Sequence, residues 1–436
     1  MKTPRLIAVM IVLALCLFGF WPEPLLAQRT TTDNEIVYYE RLLKRNPRNA
    51  RAYFGLGDAL IRKARESGDP AYFNRAEEVL KRSLEISPRN ADVMRHLAYV
   101  FYSRHEFGQA ATYANKAIEI DSTNADAYGI LGDAFLEVGR YDKAEEAYQK
   151  MMELEQNLYS YGRLAGLKSI HGDNRGAIAD LEQAIQSGKT AGNPKEGIAW
   201  AEWQLGSDRF TLGNLKDAEA YYLQALQTYP NYYRALAGMA QVRTAQKRYD
   251  EAIDLYQKAI GILPMPEYAA ALGDLHVKTR RPELARQLYE LVEYIGYLNT
   301  LNKVLYNREL AYFYADHDIK LKEGLELAWR ELEYRRDIYA YDLLAWSLYK
   351  NGKPEEALNP MSEALKLGTK DAKLFFHAGM IYQSLGEREK AKEYLRRAVA
   401  TNPHFHILYA DAAAQTLEEL ERSLAGVEVQ RKGDGG

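Results

Sequence analysis

Cysteine is almost absent. The 436-residue sequence holds one, Cys16, so neither a disulfide framework nor a thiolate metal site can be built from it. Charge of one sign is missing too: 57 Lys and Arg face 60 Asp and Glu, for a net charge of -3. That balance excludes the broad basic surface by which proteins hold nucleic acid. No apolar run reaches the roughly 20 residues that span a bilayer; the run from Leu6 to Phe20 has 15. The signatures of common active sites are also missing. There is no HExxH, GxSxG or glycine-rich dinucleotide fingerprint, and the eight histidines include no His-x3-His pair. Gly188-Lys189-Thr190 looks like the end of a phosphate-binding loop, yet Gln183 stands where that loop needs its first glycine. His404 and His406 straddle Phe405, a spacing open to a weak metal pair or, more plainly, to surface and capping roles. The expectation is a chain without catalytic centre, cofactor or metal.

The first residues have a composition of their own. Lys2 and Arg5 precede the apolar run, Trp21-Pro22-Glu23-Pro24 breaks it, and Leu25-Leu26-Ala27 follows. Basic, apolar, then small is the order of a secretory signal. We expect residues 1–27 to be removed after Ala27, although Leu25 is bulkier than an ideal residue at its position. The alternatives are a retained membrane anchor and lipidation of Cys16, for which Leu15 is the wrong neighbour. A cleaved chain has no thiol, which suits an oxidising compartment. The expected location is the periplasm or cell envelope.

The body of the chain is periodic. A small residue recurs at Ala76, Ala110, Ala144, Ala177, Ala218, Ala252, Ala285, Gly324, Ala357 and Ala391, and seven of the nine steps are 33 or 34 residues. A second series runs Gly57, Ala98, Gly132, Ala165, Gly206, Ala240, Gly273, Ala311, Ala345 and Gly379. Antiparallel helices pack with axes roughly 8–10 Å apart, at the lower limit only where small residues meet. Each unit therefore reads as a helical hairpin. Gly139, Gly172, Gly213, Gly352 and Gly386 fall in the turn inside the pair, and Pro88, Pro230, Pro264 and Pro403 fall where the second helix must stop. Large residues such as Leu97, Leu131, Tyr148 and Tyr222 are expected to fill the gaps between neighbouring repeats. The 41-residue and 39-residue steps are expected to be absorbed by a linker over 188–197 and by Tyr294 to Asn302. Pro360 is expected to kink its helix or shift its start.

The unit beginning at Ala125 has Tyr128-x2-Leu131-Gly132-x2-Phe135 and then Ala144-x3-Tyr148. It resembles the tetratricopeptide repeat (TPR), and the likeness runs from residue 34 to 424. The resemblance implies an all-α, right-handed superhelical solenoid of about ten hairpins with capping helices. The expected organisation is residues 1–27 signal, 28–49 flank and capping helix, and 50–187 repeats one to four. The 188–197 linker, repeats five to seven over 198–295 and eight to ten over 296–403 follow. Residues 404–424 are a closing helix beginning near Phe405, and 425–436 a disordered tail. An elongated arc with a long curved trough is the expected shape.

The resemblance also implies that first helices line the concave face, exposing the second, fifth, ninth and twelfth positions of each unit. By that register the stripe holds Arg51, Phe54 and Asp58, then Arg95, Tyr99 and Tyr102, then Asp126 and Asp133. Trp200, Trp203, Phe210, Arg234 and Gln241 follow. Tyr312, Tyr339, Asp342, Trp346, Tyr349, Phe376 and Met380 close it. Our candidate partner contacts are Tyr312, Tyr339, Asp342, Trp346, Tyr349 and Phe376 as an aromatic wall, with Arg95, Tyr99 and Trp203. Aromatic anchors are what peptide interfaces favour; the same rings are equally suited to packing, Tyr102, Phe210 and Tyr349 most of all. No ninth position is Asn, so the carboxylate clamp of some TPR proteins is not expected. The functional expectation is a non-enzymatic envelope scaffold holding a protein or extended peptide in its groove, without nucleic acid, and touching membrane only through an uncleaved signal. The alternative is an assembly or substrate-presenting subunit of an envelope enzyme, secretion or polysaccharide-export complex whose catalysis lies on another chain.

Overall fold

A computed structural model describes residues 31–301 and 307–433, with side chains in those segments up to Ser423. Residues 1–27, read above as a signal, lie outside it. Among the described residues there are 22 helices and no strand. Helix α1 (Thr31–Arg45) precedes ten pairs. The first five are α2 (Ala50–Ser67) with α3 (Ala71–Ile86), α4 (Ala91–Ser103) with α5 (Phe107–Ile120), α6 (Ala125–Glu137) with α7 (Tyr141–Leu154), α8 (Leu158–Ile170) with α9 (Asn174–Ala191), and α10 (Lys195–Thr211) with α11 (Leu215–Thr228). The next five are α12 (Tyr233–Ala245) with α13 (Tyr249–Ile262), α14 (Pro266–Lys278) with α15 (Pro282–Leu301), α16 (Arg308–Asp316) with α17 (Leu321–Tyr334), α18 (Ile338–Lys350) with α19 (Pro354–Leu365), and α20 (Ala372–Ser384) with α21 (Arg388–Thr401). Helix α22 (Ala410–Gly433) closes the chain.

Local chemistry explains where these helices start. Asn49, Asn90, Asn124, Asn157, Asp337 and Asp371 each accept a backbone N–H from the first turn of the helix they precede, satisfying donors the helix itself cannot. Within pairs, glycine makes room for a large partner. A Cβ on Gly132 would lie 2.4 Å from the Tyr148 ring, and one on Gly273 would lie 2.3 Å from the Tyr289 ring. These second-helix tyrosines thus seat against their own repeat and also reach the next one, as expected: Tyr148 packs with Leu167, and the Tyr289 ring lies 5.2 Å from that of Phe313. Tyr222 does both, lying against Gly206 and Gly238.

The long steps are absorbed by helix, not by loop. Helix α9 runs to Ala191 and α10 starts at Lys195, so most of the expected 188–197 linker is helical, ended by Gly192 in the left-handed region. Helix α15 likewise extends to Leu301. Pro360 sits inside α19, which stays one helix. At the C terminus, α22 begins at Ala410, not near Phe405, and continues to Gly433, past the expected end at Leu424.

Successive first helices touch one another along most of the array, whereas successive second helices scarcely do. The first helices therefore line the inside of the curve. The curve is tighter than an arc. The inner turn of one repeat meets the loop leaving the fifth repeat after it. The Arg336 N–H donates to Glu137 O at 2.9 Å, the Thr369 hydroxyl to Ile170 O, and Asn402 Nδ2 to Phe210 O at 2.7 Å. All three acceptors are carbonyls of the last turn of a first helix, where the helix leaves its own carbonyls short of donors. The Ile338 N–H adds a bond to the Tyr141 hydroxyl at 3.0 Å, and Arg335 pairs with Glu137 at 2.7 Å. Repeat one joins through Arg65, 3.1 Å from Glu196, and Gly68, against which Leu263 packs. The expected open trough is thus closed into a coil whose second turn rests on its first.

The turn glycines show why this is possible. Gly139, Gly172 and Gly213 have φ of 73°, 75° and 75°. A Cβ there would lie 2.3 Å from Arg336 O, 2.4 Å from Gly368 O and 3.0 Å from Thr401 O. Gly352 and Gly386 have the same conformation, but among the described residues nothing lies within 4 Å of a Cβ there. We therefore expect Gly352→Ala to cost about 1–2 kcal/mol, the left-handed penalty alone. Gly172→Ala should cost more than that and unwind the coil. Urea unfolding and small-angle scattering of the two variants check this; equal losses, with no change in shape, would contradict the seam.

Candidate partner-binding site

The structure divides the candidate residues into two groups. Trp346, Phe376 and Asp342 are buried, at 2 %, 2 % and 1 % exposure, which corrects their placement on a partner-accessible wall. What covers them is the chain itself. After Asn402, residues 403–409 form an irregular strap across the inner faces of the late repeats. Tyr409 stacks on Phe376 at 4.8 Å and meets Trp346 edge-on at 5.6 Å, while Phe405 lies 5.6 Å from Phe376. The Tyr409 hydroxyl donates to Asp316 O at 3.0 Å, and Ile407 packs against the cluster of Leu236 and Leu272. Trp346 also stacks on His377 at 4.0 Å and donates its indole N–H to Asp316 at 2.8 Å. Tyr312, Tyr339 and Tyr349 are half-buried beside this core; the Tyr312 hydroxyl donates to Asp342 at 2.8 Å.

Charged groups on the inner stripe mostly latch one repeat to the next. Asp133 receives a two-pronged contact from Arg163, at 2.9 and 2.8 Å, and the Tyr148 hydroxyl at 2.8 Å. Asp274 receives the Tyr289 hydroxyl at 2.8 Å and lies 2.7 Å from His317 Nε2. Asp342 accepts from His377 Nδ1 at 2.8 Å. These histidines are structural latches, and no cluster suited to a metal occurs among the described residues. His406 belongs to the strap, and burial, opposed by Asp316, pushes its imidazole down to about 4.

What stays accessible lies in repeats two to six. Arg95, Tyr99 and Trp203 are half-buried there. Arg95 makes one loose contact, 3.5 Å from Asp126. Tyr159 is 40 % exposed. Small residues flatten this wall: the Arg163 guanidinium lies over Gly129, the Trp200 ring over Gly162, and Gly166 is open. Arg234 lies over the Trp203 ring at 5.1 Å and the Tyr233 ring at 5.3 Å. Burial lifts the carboxyl of Asp208, on the same wall, to about 6, against the pull of Gln204 and Arg209. Sequence reasoning chose Arg95, Tyr99 and Trp203, put Arg234 on the stripe without choosing it as a contact, and passed over Tyr159 and Arg163. The signal was present in the run of small residues at Gly129, Gly162 and Gly166, which leaves room for a neighbour's side chain to lie flat.

Two measurements check this division. Trp346→Ala should cost about 3–5 kcal/mol of stability, as for a fully buried aromatic, whereas Tyr159→Ala should cost under about 1 kcal/mol; similar losses would contradict it. When protonated, His317 donates through both ring nitrogens, to Phe313 O at 2.8 Å and to Asp274 at 2.7 Å. Burial opposes the imidazolium, but Asp274 prevails and raises its pKa above the ordinary 6.5. Its stabilisation is complete below the unfolded value and fades as pH rises through the raised folded value. His317→Gln should therefore lose on the order of 1 kcal/mol more at pH 5.5 than at pH 9, read by urea unfolding; an equal loss at both would contradict the latch.

Comparison with known proteins bears on the same repeats. Models of the tetratricopeptide repeat match residues 38–78, 73–125, 101–169, 197–265 and 372–405, together more than half of the chain. A TPR repeat-containing protein of Methanocaldococcus jannaschii is 22% identical over 377 residues, which are 85% of this chain and 53% of that protein. The type IV pilus assembly protein PilF of Pseudomonas aeruginosa is 38% identical over 82 residues, 19% of this chain and 31% of PilF. The chain thus spans about half the length of the first relative and under a third of the second. The solved structure of Pseudomonas aeruginosa pilF superposes with a TM-score of 0.40 at 19% identity, over 49% of this chain and 94% of that one. Ten stacked hairpins, small residues at each crossing and matches spread from the first repeat to the last have one common source: the chain belongs to the tetratricopeptide-repeat family.

Proposed function

We propose that this protein, a member of a repeat family that generally mediates protein–protein interaction, is an exported scaffold of the cell envelope that holds a segment of a partner protein against the inner wall of repeats two to six. The observation that carries the reading is the contrast between the two halves of the stripe. Repeats eight to ten are covered by the chain's own strap, whereas Arg95, Tyr99, Tyr159 and Trp203 stay open to solvent in part. Aromatic rings with two rigid torsions give large contact area at low entropic cost. The envelope assignment rests on the order of residues 1–27, and the type IV pilus assembly protein among the relatives is consistent with it. No helix among the described residues is long and apolar enough to cross a membrane.

A photo-crosslinking amino acid at Tyr99 or Trp203 should capture a discrete protein in living cells, and the same group at Leu223, exposed on a second helix, should not. Capture from Leu223 alone would contradict the inner-wall reading. Mass spectrometry of the purified mature protein should find Gln28 as its first residue in an envelope fraction; an intact Met1 in the cytoplasm would overturn the export assignment.

A further inference from the structure

Among the half-buried arginines of the inner wall, one stands apart. Arg65 pairs with Glu196 at 3.1 Å, Arg95 with Asp126 at 3.5 Å, Arg163 with Asp133 at 2.8 Å, and Arg308 with Asp337 at 2.9 Å. Arg234 has no ion pair and no side-chain hydrogen bond among the described residues; its neighbours are the faces of Trp203 and Tyr233. Stacking of this kind draws on the positive face of the guanidinium and leaves its in-plane N–H donors unused. Arg carries five such donors and no acceptor. The residue is half-buried, so water satisfies those donors incompletely.

Charges of both signs act around it, and no carboxylate is within ion-pairing distance of the guanidinium among the described residues. Tyr232, Tyr233 and Tyr268 surround the guanidinium, and the charge of Arg65 reaches the same Tyr232 from across the seam of repeats one and six. The opposing charges are Glu196, which is paired with Arg65 and also acts on Tyr232, and Glu267 of the next repeat, which lies beyond ion-pairing distance of Arg234 and is repelled by Glu309. A flat guanidinium held against two aromatic faces, its donors engaged by no side chain, fits a planar carboxylate two-prong to two-prong.

From this geometry we infer that Arg234, held by Trp203 and Tyr233, is an anchoring site for an acidic side chain of an extended peptide bound in the coil. The inference deepens the scaffold reading by naming the chemistry of its partner: an aromatic residue set against Tyr159 or Trp203 beside a Glu or Asp. Tyr99 and Tyr159 continue the wall toward repeats two and four, so a peptide alternating acidic and aromatic residues has consecutive places to rest.

Anisotropy of a fluorescein-labelled octapeptide of alternating Tyr and Glu tests it, beside the same peptide with Gln for Glu. The full mature chain should bind the Glu peptide about tenfold more tightly, the effect of one charge-assisted hydrogen-bonded contact. Arg234→Gln should reduce that preference to under about twofold while its circular dichroism and unfolding midpoint stay unchanged. Arg234→Lys, which keeps the charge but loses the fork, should fall between. Glu267→Gln should strengthen binding of the Glu peptide by removing a like charge. Equal binding of the Glu and Gln peptides to the unmodified chain would overturn the anchor and leave the scaffold reading standing. Binding of neither peptide would remove both. Displacement of the Glu peptide by polygalacturonate at lower carboxylate concentration would overturn the peptide in favour of an anionic glycan.

Discussion

The seam between the two turns of the coil is the contact on which the rest of this structure depends. It is made of ordinary parts. A helix that ends leaves carbonyl oxygens short of donors, and ten hairpins leave many such ends along one edge. Here the loops of the second turn supply donors from Arg336, Thr369 and Asn402 to the carbonyls of Glu137, Ile170 and Phe210. Each bond is modest by itself, of the order of 1 kcal/mol. Their recurrence at equivalent places in repeats three, four and five turns a chain of nearest-neighbour contacts into a body in which repeats far apart in sequence support one another. Stability in a free solenoid is a sum of local terms; in this one, a change at Gly172 is felt at Gly368.

Closure also decides what the inner surface can do. The strap over residues 403–409 reaches repeats eight, nine and ten because Asn402 is held at the seam by repeat five. Fixed there, Phe405 and Tyr409 fall onto Phe376 and Trp346 and convert a potential binding wall into core. The strap reaches the cluster of repeats six and seven through Ile407, and the rings of repeats two to five have no such cover. In the proposed reading, function is partitioned along one array: the late repeats and strap hold the coil together, and the middle repeats keep rings and an unpaired guanidinium open to a guest.

The fold was largely legible in the sequence because its determinants are local. A small residue every 33 or 34 positions, a proline after the second helix and a capping Asn before the first each act within one or two turns of helix. The site was legible only in part. Register put Arg95, Tyr99 and Trp203 on the inner face, where they are. The same register put Trp346 and Phe376 there too, and it was right about the face but silent about the strap, whose seven residues have no helical period to read. The seam was out of reach for a related reason. Glycine at 139, 172 and 213 is explained by a left-handed turn alone, and nothing in one repeat says that a carbonyl from the fifth repeat onward will lie against it. Contacts of that span depend on the accumulated twist of the whole array, which no single unit encodes.

Spin labels at Arg140 and Arg336, both exposed and one on each turn of the coil, probe this closure without altering the contact. Dipolar spectroscopy on the chain with Cys16→Ser should give one short distance, under about 20 Å, less than the width of two adjacent helices, because Arg336 lies against Gly139. A broad distribution several helix diameters longer would mean that the repeats form an open arc and that the coil does not exist in solution.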